Sequence, residues 1–375
     1  MRVVSACRRR CRGYASRIMC PSSGSPRGQG QHRTIGPANE PRRGLFPSAH
    51  AEPGALGTVV VFPPPMRLNR LLLALLSLLG TACATTPARD VSSTSQPAAV
   101  AEQRAFLWEV TRPGTPDKPL YLTGSVHLGR PGQFVFPPSM EAALVRSQAL
   151  VVELDPDKAS SQAQRLVMSL GLLPPADSLS AHLSPETRAL LPQALQRVGL
   201  PAQAVERMRP WLVSVSLSVL EMQKAGYSEA GGIDRLLLAR ARGSKSIVEL
   251  ETIEGQLNML SGFPDEMQDL MLREQLKGSE LTAVTMAQVA TAWEGGNPEA
   301  LAQVIFAQKD DPAYKPYYEA LFFTRNRQMA DKLAALLDKP ETHFAVVGAG
   351  HLVGEGGLLD LMARKGFQVR QLPRE

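Results

Sequence analysis

Two short segments of the chain share a pattern that places a histidine just past a glycine. The first reads Gly124-Ser125-Val126-His127-Leu128-Gly129 and follows the apolar run Leu120-Tyr121-Leu122. The second reads Gly348-Ala349-Gly350-His351-Leu352-Val353-Gly354 and follows Phe344-Ala345-Val346-Val347. Each apolar run has the length and composition of a buried strand, so each imidazole is delivered to the carboxyl end of its strand. In an open α/β sheet the loops at that edge converge on one crevice, where ligands bind. If the two strands are parallel members of one sheet, the imidazoles face each other there. Imidazole titrates near neutral pH and is a common metal ligand, so a facing pair points to a metal or acid–base site. A single histidine after a strand more often satisfies the carbonyls of a turn; the repetition of the pattern is what favours a site. The glycines Gly124, Gly348 and Gly350 are expected to permit tight turns and close approach to a substrate. No P-loop or dinucleotide fingerprint accompanies them. His182 and His343 fall outside both motifs and are read as structural or solvent-facing.

The elements that must position these residues follow from the apolar pattern. Strands are expected at 106–110, 120–123, 149–154, 246–250, 344–347 and 367–372, as short apolar runs bounded by Gly, Pro or charge. The last part of the chain predicts a compact βαβ unit: strand 344–347, a glycine turn, a helix over 357–365 stopped by Gly366, and strand 367–372. Between about 158 and 340 the pattern is mostly helical, with three- and four-residue apolar spacing over 190–198, 212–224, 236–242, 267–276, 288–293 and 329–337. The expected fold is α/β (α+β): a central, mostly parallel sheet built from both ends of the mature chain, carrying a large helical insertion.

The amino terminus reads differently. Residues 71–79 form an apolar run too short to span a bilayer, preceded by Met66, Arg67 and Arg70 and followed by Gly80-Thr81-Ala82-Cys83. This is the plan of a secretory signal peptide. It resembles a bacterial lipobox, with Cys83 as the lipidated new amino terminus, although Gly80 stands where a branched residue or Leu is usual; the alternative is ordinary cleavage after Ala82. Ala84 is not Asp, so the resemblance implies an outer-membrane lipoprotein facing the periplasm of a Gram-negative bacterium. Residues 84–103 read as a flexible tether and 104–375 as the folded domain. Residues 1–65, rich in Arg, Gly, Pro and Ser without apolar periodicity, read as a start placed too early, translation beginning at Met66, or else as a disordered extension. The formal charge of +6 belongs to this prefix: residues 1–83 hold 12 of the 41 basic and 2 of the 35 acidic residues, leaving 29 and 33, a net of −4. The mature chain therefore gives no basic footprint for nucleic acid. Cys7, Cys11 and Cys20 lie in the prefix, so beyond Cys83 no thiol remains for disulfides, nucleophiles or Cys-based zinc sites.

Taken together, the motifs resemble the TraB/GumN (TraB/PrgY/GumN, Tiki-like) family over about residues 104–373. The resemblance rests on two G-x-x-H motifs, Gly124–His127 and Gly348–His351, and on an acidic residue after the second strand, here within Val151-Val152-Glu153-Leu154-Asp155. Pro210-Trp211, Gly232-Ile233-Asp234, Leu250-Glu251-Thr252 with Gln256, and Arg325-Asn326 before a helix add to it. Thr324 departs from the acidic residue frequent there, which implies a lost local partner for Arg325. The family implies an α/β fold with a helical insertion and, in its Tiki branch, a metal-dependent peptidase.

Hydrolysis at a metal needs about three protein ligands and an open position. His127, His351 and Glu153 supply that minimum for a divalent ion such as Mn, Co or Zn, which would lower the pKa of its water. Glu153 serves either as a ligand or as general base; residue types leave both open. Arg325 suits stabilisation of an oxyanion or of a substrate carboxylate, with Asn326 orienting it or adding a donor. Asp155, Asp234 and Glu251 are further candidate carboxylates, although Asp234 after Gly231-Gly232 equally suits a helix cap and Glu251 a loop support. The leading expectation is a lipid-anchored, metal-dependent hydrolase acting on peptides or another small substrate. Two other readings remain open: a non-catalytic lipoprotein binding a peptide or haem, and an accessory factor in polysaccharide export. Nothing in the sequence bears on oligomeric state.

Overall fold

The computed structural model describes residues 103–278 and 282–375. The segments read above as extension, signal peptide with Cys83, and tether lie outside the described residues up to Gln103. Strands occur where the apolar runs predict them: β1 (Arg104–Arg112), β2 (Thr115–Ser125), β3 (Ala149–Val152), β4 (Ser246–Glu249), β5 (His343–Gly348) and β6 (Gln368–Pro373). They form one sheet in the order β4-β3-β5-β2-β1-β6. The pairs β4–β3, β3–β5 and β5–β2 are parallel, whereas β2–β1 and β1–β6 are antiparallel. The sheet is thus mixed, with a parallel half that carries the motif strands. All positions of β3 and β5 are buried, as expected of parallel strands covered on both faces.

One expectation is corrected. Residues 344–372 do not make a local βαβ ladder, because β2 and β1 stand between β5 and β6. The parallel partners of β5 are β2 and β3, and β1 folds back on β2 through a turn at Gly114, which has φ 87°. With both sides of β5 filled, β6 pairs with the outer edge of β1, where it lies half-exposed.

The helices that bear on the site are α1 (Pro138–Arg146), α2 (Pro156–Leu170), α3 (Pro185–Val198), α4 (Pro210–Lys224), α5 (Ile233–Ala241), α6 (Ile253–Ser261), α7 (Asp265–Gly278), α8 (Thr282–Glu294), α9 (Pro298–Ile305), α10 (Thr324–Leu336), α11 (Ala349–Leu352) and α12 (Leu358–Arg364). Five of them, α1 to α4 and α9, carry proline in the first turn, where no amide donor is missed. Side chains of Asp155, Ser184, Thr252 and Asn297 cap α2, α3, α6 and α9. The helical insertion is not continuous, since β4 returns to the sheet from its middle. Leu195 of α3, Val213 and Leu217 of α4 and Leu272 and Leu276 of α7 build a second small core beside the main one. Trp293 of α8 reaches back to the first motif, donating from Nε1 to the Gly124 carbonyl at 2.7 Å while its ring packs on Phe134. Among the described residues no helix is long and apolar enough to cross a membrane.

His182 is structural, as its position outside the motifs suggests. Its Nδ1 lies 2.6 Å from Asp265 at the start of α7 and its Nε2 2.9 Å from Asp177. With a carboxylate on each ring nitrogen, the imidazolium is favoured: the bonds to Asp265 and Asp177 raise its pKa against partial burial. A raised folded pKa adds stability below the unfolded value that is lost as pH rises through the folded value. The stability this pair contributes should therefore be lost as pH rises above the ordinary imidazole value of about 6.5, and thermal melting of a His182→Gln variant should depend less on pH on that alkaline side.

Candidate functional site

The parallel half of the sheet ends its strands at one edge. There β2 finishes at Ser125, two residues before His127; Glu153 follows β3; and β5 finishes at Gly348, from which the one-turn helix α11 presents His351. Register fixes their level, with Ser125 opposite Gly348 and Val152 opposite Val346. The small cleft above them is lined by Ser125, His127, Glu153, Asp234 and Gln256, with the apolar Val152, Leu154, Pro156, Val346 and Val347 completing its wall. The point of convergence is the α-carbon of Gly348. A Cβ there would lie 3.1 Å from His127 Nε2, 3.2 Å from Glu153 Oε1 and 3.4 Å from His351 Cδ2. The separation of the two imidazoles is bounded by the sum of the first and last distances. The backbone at Gly348 has φ −49°, so the glycine is required by space and not by a left-handed turn. Gly124 is likewise a matter of close approach: its Cβ would stand 2.5 Å from Phe106 Cε1 and 2.8 Å from Ala349 Cα. The expectation of tight turns at these glycines is corrected accordingly.

Each imidazole is held at Nδ1. Asn326 donates from Nδ2 to the Gly356 carbonyl at 2.8 Å, which leaves its Oδ1 as an acceptor 2.6 Å from His351 Nδ1. That bond assigns the proton of a neutral His351 to Nδ1 and leaves Nε2 with a bare lone pair, 3.8 Å from Glu153 Oε1. Burial, reinforced by the charge of Arg325, pushes the His351 pKa well below its ordinary value, so this ring is neutral. Its face rests against Phe322, with ring centroids 5.2 Å apart. His127 has the opposite balance. Burial opposes its charge, but Asp234, whose Oδ1 is 3.3 Å from Nδ1, outweighs burial and raises the pKa.

Asp234 is not the cap of α5. The N-cap is Gly232, without a side-chain bond, and Asp234 faces the cleft from the first turn. Ser125 grips it twice, donating from Oγ to Oδ1 at 2.8 Å and accepting its backbone N–H at 3.2 Å. Burial would raise the Asp234 pKa, but His127 and Ser125 together hold it below the ordinary carboxylate value. The glycines before it serve contact: a Cβ on Gly232 would fall 2.1 Å from the His127 carbonyl oxygen.

Arg325 does not face open cleft. It donates from Nε to Glu251 Oε1 at 2.8 Å, and from Nη2 to Glu251 Oε2 at 2.5 Å and to Glu153 Oε2 at 2.8 Å. Nη1 is taken by the Leu321 carbonyl, in the π-helical turn Glu319–Phe323 that leads into α10. Its donors are therefore directed at the chain's own carboxylates, and the expected oxyanion role becomes one of fixing Glu153. Neither does Arg325 need a neighbouring acid: Thr324 Oγ1 instead bonds Glu319. Asn326 orients His351 and not Arg325. Glu251, half-buried, is the counter-charge of Arg325. Asp155 lies outside the cleft, fully buried as the cap of α2 and bonded to Arg242 at 2.8 Å.

Among the described residues, no group of three or more His, Cys, Asp or Glu side chains is arranged to hold a metal ion. The reason lies with Glu153: its Oε2 is on Arg325 and its Oε1 accepts the Gly348 N–H at 2.5 Å. The chemistry of the donor set nonetheless suits a divalent ion at two positions, because both rings are tied at Nδ1 and His127 Nε2 and His351 Nε2 remain for a ligand. The motif residue Ser125 was not singled out by sequence, although a hydroxyl inside G-x-x-H is a visible signal. Trp293 and Phe322 act through contacts that no local pattern announces.

Two outcomes follow from this geometry. Arg325→Leu would leave the buried Glu153 and the half-buried Glu251 facing each other without a cation and should cost about 3–5 kcal/mol in denaturant unfolding. Gly348→Ala should cost less, about 1–3 kcal/mol, while removing ligand or metal binding measured by calorimetry, since its methyl takes the space on which the imidazoles and Glu153 converge.

Comparison with known proteins agrees with the motif pattern. The sequence model of the TraB/PrgY/gumN family matches residues 106–371. The uncharacterized protein YbaP of Escherichia coli is 28% identical over 264 residues, covering 68% of this chain and 93% of YbaP. Metalloprotease TIKI1 of Danio rerio is 27% identical over 323 residues, 72% of this chain and 63% of that protein, and the Homo sapiens TIKI1 is 24% identical over 329 residues. The chain thus spans under two thirds of the TIKI1 length. No solved structure matches it. With the family's sequence model covering nearly all of the described fold and both histidine motifs inside it, the chain belongs to the TraB/PrgY/gumN family.

Proposed function

We propose that this protein is a metal-dependent hydrolase that cleaves peptide-like substrates, with His127 and His351 holding a divalent ion through Nε2 and Glu153 beside them as third ligand or general base. The observation that carries this reading is the pair of imidazoles, each fixed at Nδ1 by a carboxylate or amide and each turned with Nε2 available toward Glu153 and Gly348. The relatives named metalloproteases support it. When bound, the ion supplies Lewis-acid polarisation of a scissile carbonyl. The chain's own residues do the rest. Asn326 and Asp234 set the tautomer and orientation of the two rings. Arg325 and the Gly348 N–H hold the Glu153 carboxylate from both sides, so that it points at the shared space. The apolar side chains Val152, Leu154, Val346 and Val347 limit water around it. Binding a metal at His127 must displace the proton that Asp234 favours there, so uptake weakens as pH falls.

The same reading places the enzyme in the cell envelope, exported by the signal at 66–83 and tethered through lipid on Cys83, at an outer membrane and facing the periplasm. It rests on the sequence pattern alone.

Elemental analysis of the purified protein should find a divalent metal that is absent from His127→Ala and His351→Ala. Cleavage of a broad peptide set with Mn²⁺, Co²⁺ or Zn²⁺ should disappear in both variants. Asn326→Ala and Asp234→Ala should weaken metal affinity by about 10–100-fold. Wild-type protein that neither retains metal nor turns over any peptide would sink the reading.

A further inference from the structure

Gln256, on α6, is buried to 5% exposure yet lines the cleft. Its Nε2 donates to Glu251 Oε2 at 2.9 Å. Glu251 already shares both oxygens with the Arg325 guanidinium, so it is an ionised, acceptor-only group. The amide can therefore present only its NH₂ to Glu251, and its Oε1 is turned the other way. Among the described residues no donor reaches that oxygen, and it is not among the sealed, unpartnered polar atoms of the interior. Gln256 lines the cleft, and this oxygen is the acceptor its side chain has left to offer there.

The other polar groups of the wall have the same character. Glu153 and Asp234 are carboxylates, and the one hydroxyl, that of Ser125, spends its proton on Asp234. Apart from His127 Nε2, the lining side chains offer acceptors and hydrocarbon. Anionic ligands such as phosphates meet like charge there, with Arg325 already occupied. A ligand bearing N–H groups meets complementary ones.

We infer that Gln256 Oε1 accepts a backbone N–H of a peptide substrate, beside the bond to be cut, and so makes the cleft selective for amides over isosteric esters at that position. The inference rests on the peptidase reading above and deepens it. Gln256 is a substrate-positioning residue, and its chain of contacts also runs through Glu251 and Arg325 to Glu153. A simple loss of activity on mutation is therefore not diagnostic, and the substrate must be varied as well.

The full protein, supplied with Mn²⁺, Co²⁺ or Zn²⁺, is assayed on a peptide it cleaves. Matched depsipeptides replace one non-scissile N–H at a time by oxygen. At one position the replacement should lower kcat/KM of the wild type about tenfold, as loss of a hydrogen bond and its substitution by an opposed lone pair requires. In Gln256→Met, checked for folding by melting, the same replacement should change kcat/KM less than about twofold, whatever the variant's absolute rate. A wild type indifferent to every non-scissile replacement overturns the inference without use of any variant. An equal penalty in wild type and Gln256→Met overturns it too. Failure of the underlying reading looks different: no peptide is cleaved at all, and the inference then falls with it.

Discussion

The site depends on one buried cation. Arg325 is 8% exposed and lies between Glu153, which follows β3, and Glu251, which follows β4. Taking Arg325 and Glu153 out of water, and Glu251 in part, is costly, and a lone member left behind would be costlier still. The arrangement persists because the geometry is matched: a planar fork meets one carboxylate in two parallel bonds and reaches a second with the donor that remains. Its effect is to join two strand ends and α10 at a single point. The opposite oxygen of Glu153 is then met by the Gly348 N–H, so the carboxylate is held from β5 as well. A carboxylate on a strand-end loop would otherwise be free to turn; here both of its oxygens are assigned.

The same charge divides the two histidines. His351 is deeply buried and close to Arg325, and both effects disfavour a second cation. Close passage of Gly232 past the His127 carbonyl, with the Ile233 N–H bonded to the Val126 carbonyl, sets His127 beside Asp234, and a carboxylate at its Nδ1 reverses the cost of burial. Two copies of one motif therefore give rings of opposite protonation tendency, set by neighbours and not by the motifs themselves. Paired groups whose surroundings push their pKa values apart are a recurrent arrangement in acid–base sites. A metal binding both rings would draw on a neutral imidazole already in place and on a second that must release a proton.

Much of the frame was legible in the sequence, because it follows from local signals. The six strands come from apolar runs bounded by Gly, Pro or charge, and much of the helical insertion from three- and four-residue apolar spacing. His127 and His351 meet because β2 and β5 are parallel neighbours, as their buried runs and shared motif suggested. What the sequence did not disclose is set by long-range partners. Arg325 looks like an oxyanion donor until Glu153 and Glu251 are seen to occupy its N–H groups. Asp155 has the credentials of Glu153 two residues earlier, but it caps α2 and pairs with Arg242. Asp234 suits a helix cap by sequence, whereas a serine 109 residues away captures its carboxylate and backbone N–H. The place of β6 escaped for a similar reason, since edge position depends on which ladder is already filled.

The origin of each group gives the architecture its logic. The groups available for chemistry, His127, Glu153 and His351, come from the ends of β2, β3 and β5. The groups that set their charge and orientation, Asp234, Glu251, Arg325 and Asn326, come from the helical insertion. A sheet edge fixes backbone positions tightly through its hydrogen-bond ladders, so these groups inherit little positional freedom. The insertion, packed on that edge by side chains, can change its partners without moving the strands. Proton affinity at His127 and the neutrality of His351 are therefore adjustable by substitutions that leave both histidine motifs intact, because partner contacts of this kind tune a site that its first-contact residues only define. In this fold the two histidine motifs settle where chemistry can occur, and the insertion settles in which protonation state the site waits.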